Sequence, residues 1–104
     1  MINYADWLYV GKKDIIITVV AGSGTGTFEA LGEITHIAIL AVSAIAVYDV
    51  SIFDSDSFLI YASTGLTGNT AATTEKICRG INTFNVTNAT VDGIYLIRLY
   101  GVLG

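Results

Sequence analysis

The residues with the clearest catalytic potential are His36 and Cys78, the single histidine and the single cysteine of this 104-residue chain. A thiol beside an imidazole can act as a nucleophile activated by a general base. Here His36 lies among apolar residues, and no group that could orient its ring is identifiable in the sequence. A lone cysteine is more often a small buried hydrophobic residue, and it cannot form an intrachain disulfide. We therefore predict no catalytic residues and no enzyme.

Two short motifs could bind a cofactor or a cation, and both are incomplete. GSGTGT (22–27) looks like a dinucleotide-binding turn, but Thr27 stands where the fingerprint needs its third glycine and no clear helix follows. Asp54 and Asp56 form a DxD pair, but the next positions of a calcium loop hold phenylalanine and leucine. No cysteine–histidine cluster suggests zinc. We expect no cofactor and no metal, and interpret the two aspartates as solvated turn residues.

The composition restricts the kinds of partner. Hydrophobic residues make up 53% of the chain and charged residues 13%, about half the usual charged share. The net charge is −4 with five dispersed lysine and arginine residues, which argues against nucleic-acid binding because phosphates require a basic patch. So weakly charged a surface is usually covered by other subunits or by a membrane. The first residues lack the pattern of a secretory signal, so we expect synthesis in a reducing cytoplasm.

The apolar stretch ITHIAILAVSAIAVYDVSIF (34–53) predicts either a membrane helix or strands. A spanning helix needs about 20 predominantly apolar residues, whereas the clean run from Ile37 to Tyr48 is about a dozen long and has no flanking lysine or arginine. From Tyr48 onward apolar and polar residues alternate, which indicates a half-buried strand. We therefore predict strands over 33–41 and 45–53, joined by a tight connection at 42–44.

The rest of the chain shows the same pattern of strands and turns. Strands are predicted at 14–20, 58–63 and twice within 83–102, with a turn at 54–57 and loops at 21–27 and 63–74. Apolar residues on both faces of the last strand indicate a central strand or one covered by a neighbouring subunit. Seven or eight short strands and no convincing helix predict one all-β domain over 1–104. It should be an antiparallel β-sandwich, jelly-roll-like, with a short aromatic N-terminal arm at about 1–10.

Several stretches resemble small β-rich structural proteins of tailed bacteriophages. They are YDVSIFDSDSFLIYAST (48–64), GLTG (65–68), RGINTFNVTNATVDGIYLIRLY (79–100) and, upstream, VVAGSGTGTFEALGEITHIAI (19–39). Such proteins often carry a YDVxIxDxDGxxIY-like hairpin, from which this chain departs at Ser57, where glycine is usual. The resemblance implies a virion protein assembled in the host cytoplasm: a capsid decoration (cement) protein, often trimeric, or a small component of the neck or tail.

In the absence of an active site, the function is expected to depend on contact surfaces. The candidate contact residues are Tyr4, Trp7, Tyr9, Ile37, Ile39, Val47 and Tyr100. The first hypothesis is a decoration protein that binds the major capsid protein and copies of itself, as a trimer, without nucleic acid or membrane. Two alternatives stay open. One is a neck, tail or fibre-associated module that binds glycan through Trp7, and the other is a small membrane protein that uses residues 34–53.

Overall fold

The structure, a computed structural model, describes residues 10–30 and 32–102. Within these residues it contains eight β-strands and no helix, which confirms the predicted all-β class. The strands are β1 (Val10–Val19), β2 (Gly24–Ala30), β3 (Glu33–Leu40), β4 (Val47–Phe53), β5 (Leu59–Thr67), β6 (Thr70–Ile77), β7 (Gly80–Thr87) and β8 (Gly93–Val102).

The strands form two four-stranded antiparallel sheets, ordered β1-β8-β3-β6 in the first and β2-β7-β4-β5 in the second. The pairs β1–β8, β2–β7, β3–β6 and β4–β5 are nested, as in one long hairpin folded over on itself. This order is that of an eight-stranded jelly roll, so the predicted β-sandwich is confirmed. The last strand is central, as its two apolar faces predicted, because β8 lies between β1 and β3.

The core lies between the two sheets and is formed by alternate residues of each strand. Buried positions in the two best-patterned strands are Tyr48, Val50 and Ile52 in β4 and Tyr95, Ile97 and Leu99 in β8. Successive strand side chains point to opposite faces, so an apolar residue at every second position is enough to cover one face. The rings of Tyr48 and Tyr95 meet edge to face, with their centroids 5.3 Å apart.

The glycine-rich segment 21–27, predicted as a turn or loop, is only partly a turn. The chain reverses at 20–23 and then enters β2 at Gly24. A Cβ atom on Gly24 would lie 2.4 Å from the carbonyl oxygen of Thr18, and one on Gly26 would lie 2.7 Å from Ile15 Cγ2. Glycine is therefore required here for the close approach of β2 to β1, a role that sequence composition does not distinguish from that of a flexible loop.

The polar segment 63–74 was also wrongly predicted as a loop. It completes β5 and begins β6, and the chain turns only at Gly68 and Asn69. Because β6 is an edge strand whose residues are at least partly exposed on both faces, it lacks the apolar alternation that marks a half-buried strand.

The stretch 34–53 forms β3, a loop at 41–46 and β4, so the prediction of two strands is confirmed and the membrane-helix alternative does not hold. The described residues include no helix long and apolar enough to cross a membrane. Two predicted contact residues need correction, because Ile37 and Ile39 are 2% and 3% exposed and belong to the core. The register of β3 shifts between Ile34 and His36, and such a bulge changes which residues face inward.

The turn at 54–57 lies where it was predicted, and Asp54 stabilises it. One carboxylate oxygen of Asp54 accepts hydrogen bonds from the N–H groups of Asp56 and Phe58, each 2.9 Å long. Ser57 has a φ of 68°, the left-handed conformation that follows a type I turn in three-residue hairpin loops. Glycine adopts this conformation most readily, which accounts for the glycine usual at this position in the resembling hairpins.

Candidate subunit-contact surface

A band of aliphatic side chains crosses the outer face of the first sheet. This apolar stripe consists of Ile16, Leu40, Val42, Ile94 and Leu96. Leu96 is the register partner of both Ile16 and Leu40, so these three lie in one row across β1, β8 and β3. Val42, which is 40% exposed, lies against Gly93 at the start of β8, because a Cβ atom on Gly93 would be 3.0 Å from Val42 Cγ2. Ile16 is 67% exposed and Ile94 is 61% exposed, so the stripe is open to a partner.

The stripe continues onto one end of the sandwich, here called the loop end, which is formed by loops 20–23, 41–46, 68–69 and 88–92. The 41–46 loop, AVSAIA, has one polar residue, whereas surface turns are usually rich in polar residues and glycine. In this loop Ile45 is 78% exposed, and Val20 and Val47 also face outward. The stripe and the loop end together hold seven of the eleven large hydrophobic side chains that are exposed among the described residues.

Hydrogen bonds fix the apolar 41–46 loop. The N–H of Ala41 donates to Asn69 Oδ1 over 3.0 Å, and the N–H of Gly68 donates to the carbonyl of Ala46 over 2.8 Å. From inside the sandwich, the buried hydroxyl of Tyr48 donates to the carbonyl of Gly68 over 2.7 Å. Burial raises the pKa of Tyr48 above its ordinary value, so the hydroxyl keeps its proton and remains a donor at neutral pH. The loop is therefore held in place by its neighbours.

The remaining loops of this end are joined to each other and to β4. The carboxylate of Asp92 accepts hydrogen bonds from the N–H groups of Ala21 and Gly22, both 2.9 Å long. The N–H of Thr90 donates to the carbonyl of Val47 over 2.9 Å, and the N–H of Val47 donates to Thr90 Oγ1 over 3.0 Å. Each loop of the loop end thus contacts another loop or a strand end, and the surface is preorganised.

The two charges in the row next to the stripe neutralise each other. Arg98 Nε donates to Asp14 Oδ1 over 2.9 Å, and the two residues are register partners in the row beside Ile16 and Leu96. This hydrogen bond lowers the pKa of Asp14 below its ordinary value and raises that of Arg98. An exposed ion pair contributes little to stability. A partner subunit nevertheless covers a pair of opposite charges at a lower cost than an unpaired charge.

The outer face of the second sheet has the opposite character. Register partners there are Thr25 and Asn85, Asn85 and Ser51, and Thr27 and Thr83, and none of these residues is fully buried. This face presents hydroxyl and amide groups that water can solvate. The larger share of the exposed hydrophobic side chains therefore lies on the first sheet and the loop end. A smaller group lies at the opposite end of the sandwich and consists of Phe58, Leu59, Ile77 and Ile81.

Comparison with known proteins gives similarities of fold only. No family model matches the sequence, and no curated protein matches it. One similar solved structure is the Drosophila NLP core, which was described for its pentamer formation and histone binding. Its sequence is 17% identical to this chain. The match covers 88% of this chain and 95% of the NLP chain, with a TM-score of 0.49. The carbohydrate-binding module CBM36, in complex with calcium and xylotriose, is 13% identical over 88% of this chain and 84% of its own, with a TM-score of 0.38.

A tailspike protein of bacteriophage CBA120 also matches. Its enzymatically active domain is 13% identical over 89% of this chain but only 18% of its own, and the TM-score is 0.36. At these identities and scores, none of the three similarities assigns a function to this chain.

The predicted contact residues fall into three groups. Tyr4, Trp7 and Tyr9 lie outside the described residues, and Ile37 and Ile39 are in the core. Of the four candidates that the structure describes, Val47 and Tyr100 lie at the surface. Val47 is at the loop end, and Tyr100 is two rows from the stripe, with its ring edge to face with that of His36.

Sequence reasoning missed Ile16 and Ile94, whereas Ile45 lies within the apolar 37–47 region that was expected to make contacts. The signal for Ile16 was present in the run IIIT, since a strand that buries Ile15 and Ile17 must expose the residue between them.

The structure does not bring the potential catalytic residues together. His36 is exposed on the outer face of the first sheet, whereas Cys78 is buried, and burial raises the pKa of Cys78 from 9.0 to about 11. Such a thiol is a poor nucleophile at neutral pH. Across residues 10–30 and 32–102 no group of three His, Cys, Asp or Glu side chains could hold a metal ion.

Proposed function

We propose that this protein is a structural subunit that packs against other subunits through the apolar stripe and the loop end. Its specific role would be that of a decoration protein on a bacteriophage head, where it contacts the major capsid protein and copies of itself. The observation that carries the proposal is an exposed aliphatic surface held in a fixed shape on a chain with only 13% charged residues.

Association through this surface has a favourable and an unfavourable contribution to the free energy. Covering aliphatic surface is favourable by roughly 25 cal/mol per Å², but ordering of side chains and loops offsets much of this gain. Here hydrogen bonds that involve Asp92 and Tyr48 already fix the loops, so binding has to order fewer loop residues. Many copies on one shell would make contacts of modest affinity strong collectively. The sequence resemblance to phage virion proteins supplies the kind of partner.

The experiment is a binding assay with phage heads that lack the protein. Purified wild-type protein is expected to co-sediment with expanded heads at a fixed number of copies. Ile94→Lys and Ile45→Lys should each lower the affinity by roughly tenfold or more, because a charge placed in a covered aliphatic contact costs more than about 1.4 kcal/mol. Circular dichroism and thermal unfolding should show the wild-type fold in both variants, since both side chains are exposed.

Ile81→Lys is the matched control. Ile81 is 56% exposed, but it lies on the second sheet at the end remote from the loop end. Its substitution should leave head binding unchanged. Wild-type affinity for Ile94→Lys and Ile45→Lys would refute the contact surface, and a complete lack of head binding by the wild-type protein would refute the decoration role. Reproducible glycan-array hits that vanish on Trp7→Ala would point instead to a neck, tail or fibre-associated binding module.

A further inference from the structure

The two edges of the sandwich differ in whether a further strand can be added. At the β1–β2 edge the two sheets approach each other closely, since Gly24 and Gly26 leave no room for a Cβ atom against β1. The Nζ of Lys13 also donates to the carbonyl of Glu29 across this edge, over 3.4 Å. Lysine and aspartate side chains at 12–14 protect the start of β1 in the way charged residues commonly protect edge strands. This edge is therefore closed.

The opposite edge of the first sheet, formed by β6, is open. Thr70 to Thr73 pair with β3 in unbroken register, so the strand is regular there. Among residues 10–30 and 32–102 no strand pairs with the other side of β6. Its first five residues, TAATT, include no charge and no proline, and all of them are at least partly exposed. The devices that usually prevent edge-to-edge pairing are thus missing from residues 70–74 of this strand.

We infer that β6 pairs antiparallel with β6 of a second copy of this chain. A row of backbone donors and acceptors at strand spacing is satisfied by another extended strand. Each copy offers the same regular edge, whereas its other edges are less suitable. The β1–β2 edge is closed, and β5 has two register shifts and a left-handed Gly65. The resulting contact is isologous, with the same surface used on both copies.

Side-chain chemistry along β6 is compatible with this two-fold arrangement. If the symmetry axis passes near Ala72, then Glu75 and Lys76 of one copy face the uncharged Asn69 and Gly68 of the other, so no like charges oppose each other. Ala71 and Ala72 are small and present no steric obstacle. The dimer would contain one continuous sheet in the order β1-β8-β3-β6-β6-β3-β8-β1.

This pairing does not depend on the proposed function, because it uses the backbone groups of the β6 edge, whereas the proposed contact surface uses the side chains of the stripe and the loop end. The β6–β6 contact gives the dimer two-fold symmetry. The trimer implied by the family resemblance would have to use another surface, such as the stripe.

The test uses charge reversal at Ala72, measured by sedimentation equilibrium of the full chain. Wild-type protein is expected to dimerise. Ala72→Lys and Ala72→Glu should each weaken self-association by at least roughly tenfold, because like charges would meet across the axis. An equimolar mixture of the two variants should dimerise again. Ala62→Lys, an identical change at an exposed position of β5, is the control and should dimerise like the wild type.

Hydrogen exchange locates the contact. Amides within 70–74 should exchange more slowly as protein concentration rises, and this protection should be lost in Ala72→Lys. The inference is overturned if the wild type stays monomeric up to about 1 mM, or if both Ala72 variants dimerise normally. It is also overturned if the protection is independent of concentration and disappears when residues 1–9 are deleted, which would assign the edge to the chain's own N-terminal segment. None of these readouts involves phage heads, so failure here is distinct from failure of the proposed function.

Discussion

The hydroxyl of Tyr48 offers the sharpest test of how the loop end is held in place. Tyr48 is fully buried and donates to the carbonyl of Gly68 over 2.7 Å, while its oxygen also lies 3.2 Å from Thr70 Oγ1. Tyr48→Phe keeps the ring and its edge-to-face contact with Tyr95 but removes the hydroxyl. The carbonyl of Gly68, a buried residue, then loses its donor. Leaving a buried acceptor unpaired costs about 1–3 kcal/mol.

For a domain of about this size, each kcal/mol lowers the melting temperature by roughly 4–8 °C, so Tyr48→Phe should lower it by about 4–24 °C. Urea unfolding followed by circular dichroism should show a lower midpoint with an unchanged m-value. Tyr95→Phe is the comparison, since its hydroxyl donates to the carbonyl of Val91 over 2.7 Å in a different loop. That carbonyl belongs to a residue that is only partly buried, so the expected cost is smaller, about 0.5–1.5 kcal/mol.

The two hydroxyls bond different loops, but the rings of Tyr48 and Tyr95 are in contact, so the two effects are not expected to add. A loss below about 0.5 kcal/mol for Tyr48→Phe would show that Gly68 finds another donor, and the argument for a preorganised 41–46 loop would fail. A loss of the expected size should be accompanied by weaker head binding, because Gly68 also bonds Ala46 in that loop.

Three further predictions concern the backbone and the core. Ser57→Gly should stabilise the protein by about 0.5–1 kcal/mol in urea unfolding, because Ser57 has a φ of 68°, and a destabilised variant would contradict the assigned turn. Gly24→Ala should destabilise the protein by about 1–3 kcal/mol or more, because the new methyl group would lie 2.4 Å from a carbonyl oxygen. Gly11→Ala is the control and should be close to neutral, since there is open space around Gly11. Equal effects of the two substitutions would refute the closed edge. The folded-state pKa of Cys78, about 11, exceeds its ordinary value of 9.0, so the folded state holds this proton more tightly and stability should fall as pH rises from 9 through 11. Cys78→Ala should make that decline shallower by about 2–3 kcal/mol in unfolding free energies measured at pH 8 to 11, and identical pH profiles would exclude the buried thiol as a cause.

The strands with regular alternation could be predicted from the sequence because their pattern is local. Tyr48, Val50 and Ile52 repeat at every second position, as do Tyr95, Ile97 and Leu99, and each set is buried. The turn at 54–57 was also predictable, since aspartate and serine hydrogen-bond to nearby backbone groups without help from distant residues. These local signals were sufficient for the all-β class and for the sandwich.

The contact surface and the edges depended on tertiary structure. Whether an isoleucine such as Ile37 faces the core or the solvent depends on strand register, and in β3 a bulge changes the alternation. Whether Gly24 belongs to a flexible loop or a tightly packed strand depends on Thr18, which lies opposite it. Whether β6 is a loop or an open edge depends on its pairing with β3, more than 30 residues away in sequence. Sequence alone determined where the chain extends and turns, but long-range pairing decided which apolar residues stay exposed, because pairing fixes which side of each strand faces the core.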